Sequence, residues 1–544
     1  MNNNLLATPA SGTNPMHELK ASIGDFVTQL SDGVAKKADV SFLALLIIFA
    51  VWSGFGLLES PGFTFDEALF VDPALHYARH GFLAAPTLGP GFGHEEAYLY
   101  HTPLYFLALG YIFRLFGEGL LQARVFSVVL ASCSLCLVFL IVRRSSPLAA
   151  LLTTFLLAVD PLFGSRAREA RPDWIALLAV LGAFSLITSL RAKGWRRLVF
   201  VLVAGVLVGV GVNSHLLYLI YGVSFGLLLI FPWALGLREC RFRWTRLAVF
   251  SLGVVVTLIP FLLYARRHPI AFAEQFKYHV SLQHEAYAKT GGWVYQEVLR
   301  YLQYFRLAPF GLIYFVGSMC AAGWLALWSS CGATEEEKAG TSTWLRTVFV
   351  VSLLGITLLS VTSGHRSWHL LILAPFLCAV GGGVAAWAAG RARHSWPAVF
   401  LCVLFFLAVL NGVAVSWVAR TYSALATWGE RRVDKLEPRL TVLVPRGSSV
   451  YGDYRLVFLA YKLDWKFVQH QYAYRKDPKG LREVRFDYVI ASDMTGDLSG
   501  IDMADYVLVE NLELGRSPFR LGKVNRTVNP ISLHVFRRQP NPAL

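Results

Sequence analysis

Apolar runs alternate with short polar segments along most of the chain. Each run approaches the ~20 residues that an α-helix needs to cross a bilayer, so the pattern predicts membrane-spanning helices. Eleven such runs lie between residues 40 and 418. The predicted spans are 40–58, 122–142, 147–163, 174–190, 198–212, 216–235, 247–264, 307–329, 347–362, 368–389 and 397–418.

The composition agrees with a polytopic α-helical membrane protein. Hydrophobic residues make up 55% of the 544 residues and charged residues only 16%, and the mean hydropathy is +0.50. Soluble domains seldom have such a composition. A further apolar stretch, 103–116, is short for a crossing and predicts an interfacial or half-inserted helix. Allowing for it, we expect about 11–13 transmembrane helices.

The formal charge of +15 could indicate a nucleic-acid partner, but the placement of the basic residues argues against one. Lys and Arg cluster between alternate spans, as at 143–144, 191–197, 238–246 and 391–393. Short loops rich in Lys and Arg stay on the cytoplasmic side of a membrane. We therefore expect the N-terminus in the cytoplasm, the C-terminus outside, membrane lipids as surroundings and no nucleic acid.

The chain divides into three regions. Residues 1–39 form a cytoplasmic N-terminal segment, where apolar residues at helical spacing predict an amphipathic helix on the membrane surface. The transmembrane domain, 40–418, contains a first external loop, 59–121, that is acidic. Residues 419–544 contain short strand patterns separated by turns, which predicts a small extracytoplasmic α/β domain.

Ionisable residues gather at the external ends of the spans. Asp66 and Glu67 follow the first span by a few residues, and the segment SRAREARPDW (165–174) carries charges of both signs after the third. Any one of these could be a solvated loop charge. Together they fit a site where cations bind a lipid-linked phosphate and a carboxylate accepts a proton from a hydroxyl. Further ionisable residues at this face are Arg124, His215, His365, Arg366 and His369.

Three motifs in a fixed order resemble a known family. They are FDEALF…ALHYARHGF, YHTPLYFLALGYIFRLFGEGLLQARVFSVV and SRAREARPDW, within about residues 60–190, with a weaker echo in WHLLILAP (368–375). The chain thereby resembles the bacterial aminoarabinose transferases and the protein O-mannosyltransferases of the GT-C glycosyltransferase superfamily. The resemblance implies a GT-C fold in the plasma (inner) membrane.

The resemblance also implies an activity. It implies an inverting glycosyltransferase that takes a sugar from a polyprenyl phosphate and transfers it to a hydroxyl of a protein, lipid or glycan at the outer membrane face. Asp66 matches the essential aspartate of the family, the expected general base, and Glu67 matches its acidic neighbour. Both are candidate catalytic residues, and Glu67 is expected to pair with a cation or to orient the acceptor. No cofactor is expected, and a divalent cation near Asp66 is left open. Together with the charge pattern, the resemblance assigns donor phosphate or sugar contacts to Arg79, His101, Arg124, Arg168, Arg171, Asp173, His365 and Arg366.

One departure from the family concerns the acceptor. Tyr100 stands where aminoarabinose transferases carry an acidic residue, and Glu95 and Glu96 lie nearby. These three residues are candidate acceptor or sugar contacts. The departure argues against aminoarabinose transfer to lipid A.

Two other classes of function are alternatives. A transporter or flippase of a lipid-linked sugar would also place cations at the membrane edge, although the chain has no internal repeat. A non-catalytic membrane subunit is the second alternative.

Two geometric expectations separate the candidate residues. Arg79, His101 and Arg171 are expected to converge on one phosphate. Asp66 and Glu67 are expected in a strand-like or turn conformation, which would point their side chains apart and give them different roles.

Overall fold

The structure of the protein is a computed structural model. It describes residues 33, 36–89, 92–190, 195–235, 243–288, 293–331, 341–362, 367–392, 395–426, 428–429, 432–470, 484–492, 498, 501–514, 519–521, 524–528 and 531–539. Most of the predicted N-terminal amphipathic helix lies outside the described residues, as do His365 and Arg366.

α-Helices form most of the described chain up to residue 462. Each of the eleven predicted spans overlaps at least one of the nineteen α-helices that the structure describes. In chain order they are α1 (Ala38–Gly54), α2 (Phe65–His80), α3 (Leu104–Phe116), α4 (Leu120–Arg143), α5 (Pro147–Val159), α6 (Pro161–Arg166), α7 (Asp173–Thr188), α8 (Trp195–Ser214), α9 (Leu219–Ile230), α10 (Arg243–Arg267), α11 (Pro269–Ala288), α12 (Trp293–Tyr304), α13 (Pro309–Cys331), α14 (Thr341–Thr362), α15 (Ala374–Ala389), α16 (Trp396–Gly412), α17 (Ala419–Ala426), α18 (Glu437–Leu443) and α19 (Val457–Lys462).

The lengths of these helices fit a multi-pass membrane protein. Within the described residues, six apolar helices are long enough to cross a membrane. The other five predicted spans, α1, α5, α7, α9 and α15, form apolar helices of 12 to 17 residues. The stretch 103–116 forms the short helix α3, of 13 residues. The six long spans are α4, α8, α10, Pro309–Leu327 within α13, Thr343–Thr362 within α14, and Trp396–Ala426, which includes both α16 and α17.

Glycines allow α8 and α10 to pack backbone against backbone. A Cβ atom at Gly205 would lie 2.1 Å from the carbonyl oxygen of Phe250, and one at Gly253 would lie 2.5 Å from that of Leu202. Small residues give membrane helices this close approach, which van der Waals contact then stabilises. A larger side chain at either glycine would push the two helices apart.

The C-terminal region contains the predicted sheet. Five strands pair in the order β2-β1-β3-β7-β4, and β5 pairs with β6 in a separate two-stranded sheet. The β1 strand is parallel to β2 and β3, whereas β7 is antiparallel to β3 and β4. Helices α18 and α19 contribute to its core, which confirms a small α/β domain. The strands are β1 (Ser449–Gly452), β2 (Lys466–Gln469), β3 (Tyr488–Ser492), β4 (Tyr506–Leu514), β5 (Phe519–Leu521), β6 (Val524–Val528) and β7 (Ile531–Arg538).

The helix α2 lies in the first loop and contacts both the helical region and the C-terminal domain. It shares one buried apolar cluster with α3 and with Tyr454, Val457 and Tyr461 of the C-terminal domain. The helix ends at Gly81, which has a φ of 84°, a left-handed conformation that suits glycine. This packing fixes the direction of α2 and places its first turn against residues 166–173.

Candidate active site

Asp66 and Glu67 lie in the first turn of α2, so the expected strand or turn conformation is wrong. Thr64 caps the helix: its hydroxyl accepts a hydrogen bond from the Glu67 amide, and the Glu67 carboxylate accepts one from the Thr64 amide. This reciprocal capping box satisfies two amides that a helix start leaves unpaired. Adjacent residues in a helix point about 100° apart, so the two carboxylates still face different surroundings.

Glu67 is fully buried and pairs with Arg124. The Arg124 guanidinium donates to both carboxylate oxygens, from Nε at 2.8 Å and from Nη2 at 2.6 Å. The Ala170 amide donates to the same carboxylate at 3.1 Å. Both side chains of the ion pair are 0% exposed. Glu67 therefore ties α2 to α4 and to the segment before α7.

Arg124 and Arg168 both bind the backbone that links α1 to α2. Arg124 also donates to the carbonyl oxygens of Leu57, Pro61 and Gly62. The buried Arg168 guanidinium donates to four carbonyl oxygens of the same part of the chain. These acceptors belong to Trp52, Phe55, Gly56 and Ser60. The two predicted phosphate contacts thus hold the first loop in place: Arg168 donates to backbone carbonyls, and Arg124 donates to backbone carbonyls and to the Glu67 carboxylate.

Asp66 is the accessible member of the acidic pair. Its side chain is 37% exposed, and one carboxylate oxygen accepts a hydrogen bond of 3.2 Å from Arg171. Arg171 is 5% exposed and also donates to Asp173 at 3.0 Å. Although burial acts in the opposite direction, the carboxylates of Asp173, Asp66 and Glu169 raise the pKa of Arg171. Arg171 therefore stays charged, and its buried guanidinium fixes the position of the exposed Asp66 carboxylate.

The side chains of His101 and Arg171 both pack near the Phe70 ring. The Phe70 ring is 5.4 Å from the His101 ring and 5.7 Å from the guanidinium carbon of Arg171. The His101 ring also lies 4.7 Å from the Tyr100 ring and 6.0 Å from the His215 ring. The structure thus brings His101, Tyr100 and Arg171 together beside Asp66.

Three further residues belong to this cluster. His215 lies close to Asp173 and Arg171; burial of its imidazole lowers its pKa, although the Asp173 carboxylate acts in the opposite direction. Its Nδ1 atom is buried, with no hydrogen-bond partner among the described residues. His369 lies within electrostatic range of His215, Arg300 and Asp173. The sequence marked the two histidines as ionisable residues at this face but did not indicate Arg300, which is fully buried on α12.

Arg79 lies away from this cluster, so the expected convergence with Arg171 on one phosphate is not present. Arg79 follows Asp66 by thirteen positions on α2, which corresponds to about 20 Å along a helix. Arg79 donates to both carboxylate oxygens of Glu118, the shortest contact being 2.6 Å, and to the carbonyl oxygen of Tyr461. It joins the first loop to the C-terminal domain.

Glu95 and Glu96 are exposed on the loop that follows α2. Glu95 lines a cavity of about 580 Å³ between the first loop and the C-terminal domain, together with Arg79, His80 and Lys466. Neither glutamate lies in the Asp66 cluster as the structure describes it. Within the described residues, no group of three or more His, Cys, Asp or Glu side chains is arranged to hold a metal ion.

Comparison with known proteins identifies the fold. The family model "Dolichyl-phosphate-mannose-protein mannosyltransferase" matches residues 100–264. ArnT from Cupriavidus metallidurans bound to undecaprenyl phosphate superposes with a TM-score of 0.57 and 13% identity, over 90% of this chain and 97% of its own. In the apo state the same enzyme gives a TM-score of 0.55 and 14% identity, over 91% and 98%.

A third structure extends the comparison. The apo oligosaccharyltransferase of Archaeoglobus fulgidus gives a TM-score of 0.51 and 12% identity, over 82% of this chain and 69% of its own. No curated protein sequence gives a significant match. The chain therefore has the fold of the GT-C glycosyltransferases, which confirms the fold that the resemblance implied. At these identities the similarity establishes the fold, and the chemistry has to be argued from the site.

Proposed function

We propose that this protein is an inverting glycosyltransferase that uses a polyprenyl-phosphate-linked sugar. The acceptor is a hydroxyl of a protein, lipid or glycan at the outer face of the plasma (inner) membrane. One observation carries the proposal: at the start of α2, the exposed carboxylate of Asp66 is fixed by a buried arginine. ArnT, which has the same fold, has been crystallised with undecaprenyl phosphate.

Asp66 acts as the general base in this proposal. The acceptor oxygen attacks the anomeric carbon of the donor, and its proton passes to the Asp66 carboxylate. The bond between the anomeric carbon and the phosphate oxygen breaks, and its electron pair leaves with the phosphate. The exposure of Asp66 supports this role because a base has to reach the acceptor hydroxyl, whereas the buried Glu67 carboxylate is occupied by Arg124.

Arg171, which stays charged beside Asp66, provides positive charge for the leaving phosphate. His101 and His215 offer ring nitrogens as hydrogen-bond partners, and the buried Arg300 lies within electrostatic range of His369. A phosphate oxygen or sugar hydroxyl could satisfy the buried Nδ1 of His215. Because phosphate is already a good leaving group, positioning and electrostatic stabilisation should account for most of the rate. The proposal needs no metal or organic cofactor.

The proposal is tested with protein purified in lipid nanodiscs. Mass spectrometry of the co-purified lipids is expected to find a polyprenyl phosphate or its glycosylated form. Incubation with polyprenyl phosphates that carry radiolabelled sugars is expected to give transfer to an acceptor, or slow hydrolysis without one. Movement of the intact lipid-linked sugar between leaflets, with no cleavage of the sugar–phosphate bond, would instead support a flippase.

A further inference from the structure

Asp72 is a second acid on α2 that the proposed chemistry does not use. Its side chain is fully buried between α2, the short 3₁₀ turn Pro86–Leu88 and α19 of the C-terminal domain. The Tyr461 hydroxyl donates to one carboxyl oxygen at 2.6 Å, and the Thr87 hydroxyl donates to the other at 2.7 Å. Gln469 of the C-terminal domain donates in turn to the Thr87 hydroxyl at 2.5 Å. The two regions therefore share a buried polar network.

The same segment of the C-terminal domain contacts both ends of α2. Near the start of the helix, the Tyr454 hydroxyl donates to the Phe63 carbonyl at 3.3 Å, and the Tyr454 ring lies 5.9 Å from that of Phe65, the neighbour of Asp66. Near its end, the Arg79 guanidinium lies 5.3 Å above the Tyr461 ring. Asp72 is midway between these contacts. Residues 454–461 therefore follow the helix along most of its length.

Burial makes the contact between Asp72 and Tyr461 sensitive to pH. It raises the pKa of Asp72 to about 7, although the hydrogen bonds from Tyr461 and Thr87 act in the opposite direction. Arg79 and Glu118, which pair with each other, interact electrostatically with Tyr461, and the buried His76 follows Asp72 by one turn of α2. The cavity beside Thr87 and Tyr461 is also lined by the titratable residues His80, Glu95, Asp464 and Lys466. A buried polar group is costly to leave without its partners, so the contact favours one arrangement of the helix against the domain.

We propose that Asp72 and Tyr461 are positioning residues through which the C-terminal domain holds α2, and with it Asp66, in register with Arg171. The proposal rests on the role assigned to Asp66 above. It gives the C-terminal domain a part in the reaction that needs no contact between that domain and the donor. A small displacement of a catalytic group can cost about a hundredfold in rate, so a distant contact can limit turnover.

The test compares two hydroxyl deletions in the same domain. Tyr461→Phe removes the donor to Asp72. Tyr506→Phe, the matched control, removes a hydroxyl that donates to the Phe486 carbonyl at 2.9 Å inside the C-terminal domain. Tyr461→Phe is expected to lower kcat by about 10- to 100-fold with the donor KM within about twofold, because the donor site is intact and the base is displaced. Tyr506→Phe is expected to retain wild-type kcat.

The pH dependence of kcat distinguishes a positioning role of Asp72 from a purely structural role. Keeping an ionised Asp72 away from water costs more than its hydrogen bonds from Tyr461 and Thr87 return, so the buried arrangement of α2 against the domain, and kcat with it, should weaken as the pH rises to about 7. Asp72→Asn has no carboxyl to ionise at this position, retains an oxygen that can accept from Tyr461, and should lose this alkaline decline. An unchanged decline in Asp72→Asn would contradict the proposal.

Hydrogen exchange separates this proposal from the proposed function. Amides of residues 65–80 are expected to exchange faster in Tyr461→Phe than in wild type or Tyr506→Phe, whatever the reaction is. Faster exchange with unchanged kcat would overturn the positioning role, and unchanged exchange would overturn the contact itself. If the wild-type protein transfers no sugar from any donor, the proposed function fails, and the exchange result alone decides whether the domain holds α2.

Discussion

Replacement of Glu67 by Gln is expected to destabilise the fold strongly. The Glu67 carboxylate accepts hydrogen bonds from Arg124, Ala170 and Thr64, and neither side chain of its ion pair is exposed. In Glu67→Gln the amide group would face the donors of Arg124, and the guanidinium charge would be left buried without its counterion. Breaking a buried pair by removing one partner costs about 3–5 kcal/mol.

The matched control is the same substitution in an exposed ion pair. Glu118 pairs with Arg79, and their side chains are 27% and 28% exposed. Exposed pairs contribute about 0–1 kcal/mol, so Glu118→Gln should cost little. The two substitutions remove the same charge and differ in whether the partner stays in contact with water.

The expected change in the melting temperature, Tm, of each variant follows from the size of the chain. An unfolding entropy of about 2.1 cal/mol/K per residue gives about 1.1 kcal/mol/K for 544 residues. Glu67→Gln should therefore lower Tm by about 3–5 °C and Glu118→Gln by about 1 °C or less. Tryptophan fluorescence during heating of the detergent-purified proteins measures both shifts. Equal shifts for the two variants, or a wild-type Tm for Glu67→Gln, would refute the reasoning.

Three further predictions address the site, the pH dependence and the topology. Arg171→Lys should reduce sugar transfer at least about tenfold in a radiolabel assay, since an ammonium cannot reproduce the planar guanidinium that donates to Asp66 and Asp173; wild-type transfer would contradict this. Because burial raises the pKa of Asp72 to about 7, the wild-type protein loses stability as the pH rises to that value; relative to wild type, Asp72→Asn should therefore gain at most roughly 3 kcal/mol of stability between pH 5 and pH 8, measured as a higher Tm, and a constant difference would contradict this. Val442→Cys, at a position 83% exposed in the C-terminal domain, should react with an impermeant maleimide in intact cells, and labelling only after permeabilisation would overturn the proposed orientation.

The sequence predicted the membrane helices well because their signal is local. Each of the eleven apolar runs contains a helix, since a continuous apolar stretch in a bilayer has to satisfy its own backbone hydrogen bonds. The helical start of α2 could also have been predicted from the sequence. Thr64 and Glu67 have the spacing of a capping box, a signal for a helix start that the strand or turn expectation overlooked.

The roles of the arginines could not be read from the sequence, because their partners are distant in the chain. Arg124 pairs with an acid 57 residues earlier, and Arg168 binds carbonyl groups more than 100 residues earlier. An arginine at a membrane edge is equally compatible with a phosphate or with backbone carbonyls until those neighbours are known. Arg300 was missed for the same reason: it reaches the cluster from a helix that no motif marks.

The transfer rate of Asp66→Asn, compared with wild type, tests the central claim most directly. The substitution is nearly isosteric, and the buried Glu67–Arg124 pair that anchors the helix is unchanged, so the variant should fold and bind the donor lipid like wild type. Loss of a general base costs about 10²–10⁴ in rate, and kcat with an identified donor and acceptor should fall by that factor. Wild-type turnover by a folded, donor-bound Asp66→Asn would contradict the account and leave Asp66 an ordinary exposed charge of the first loop.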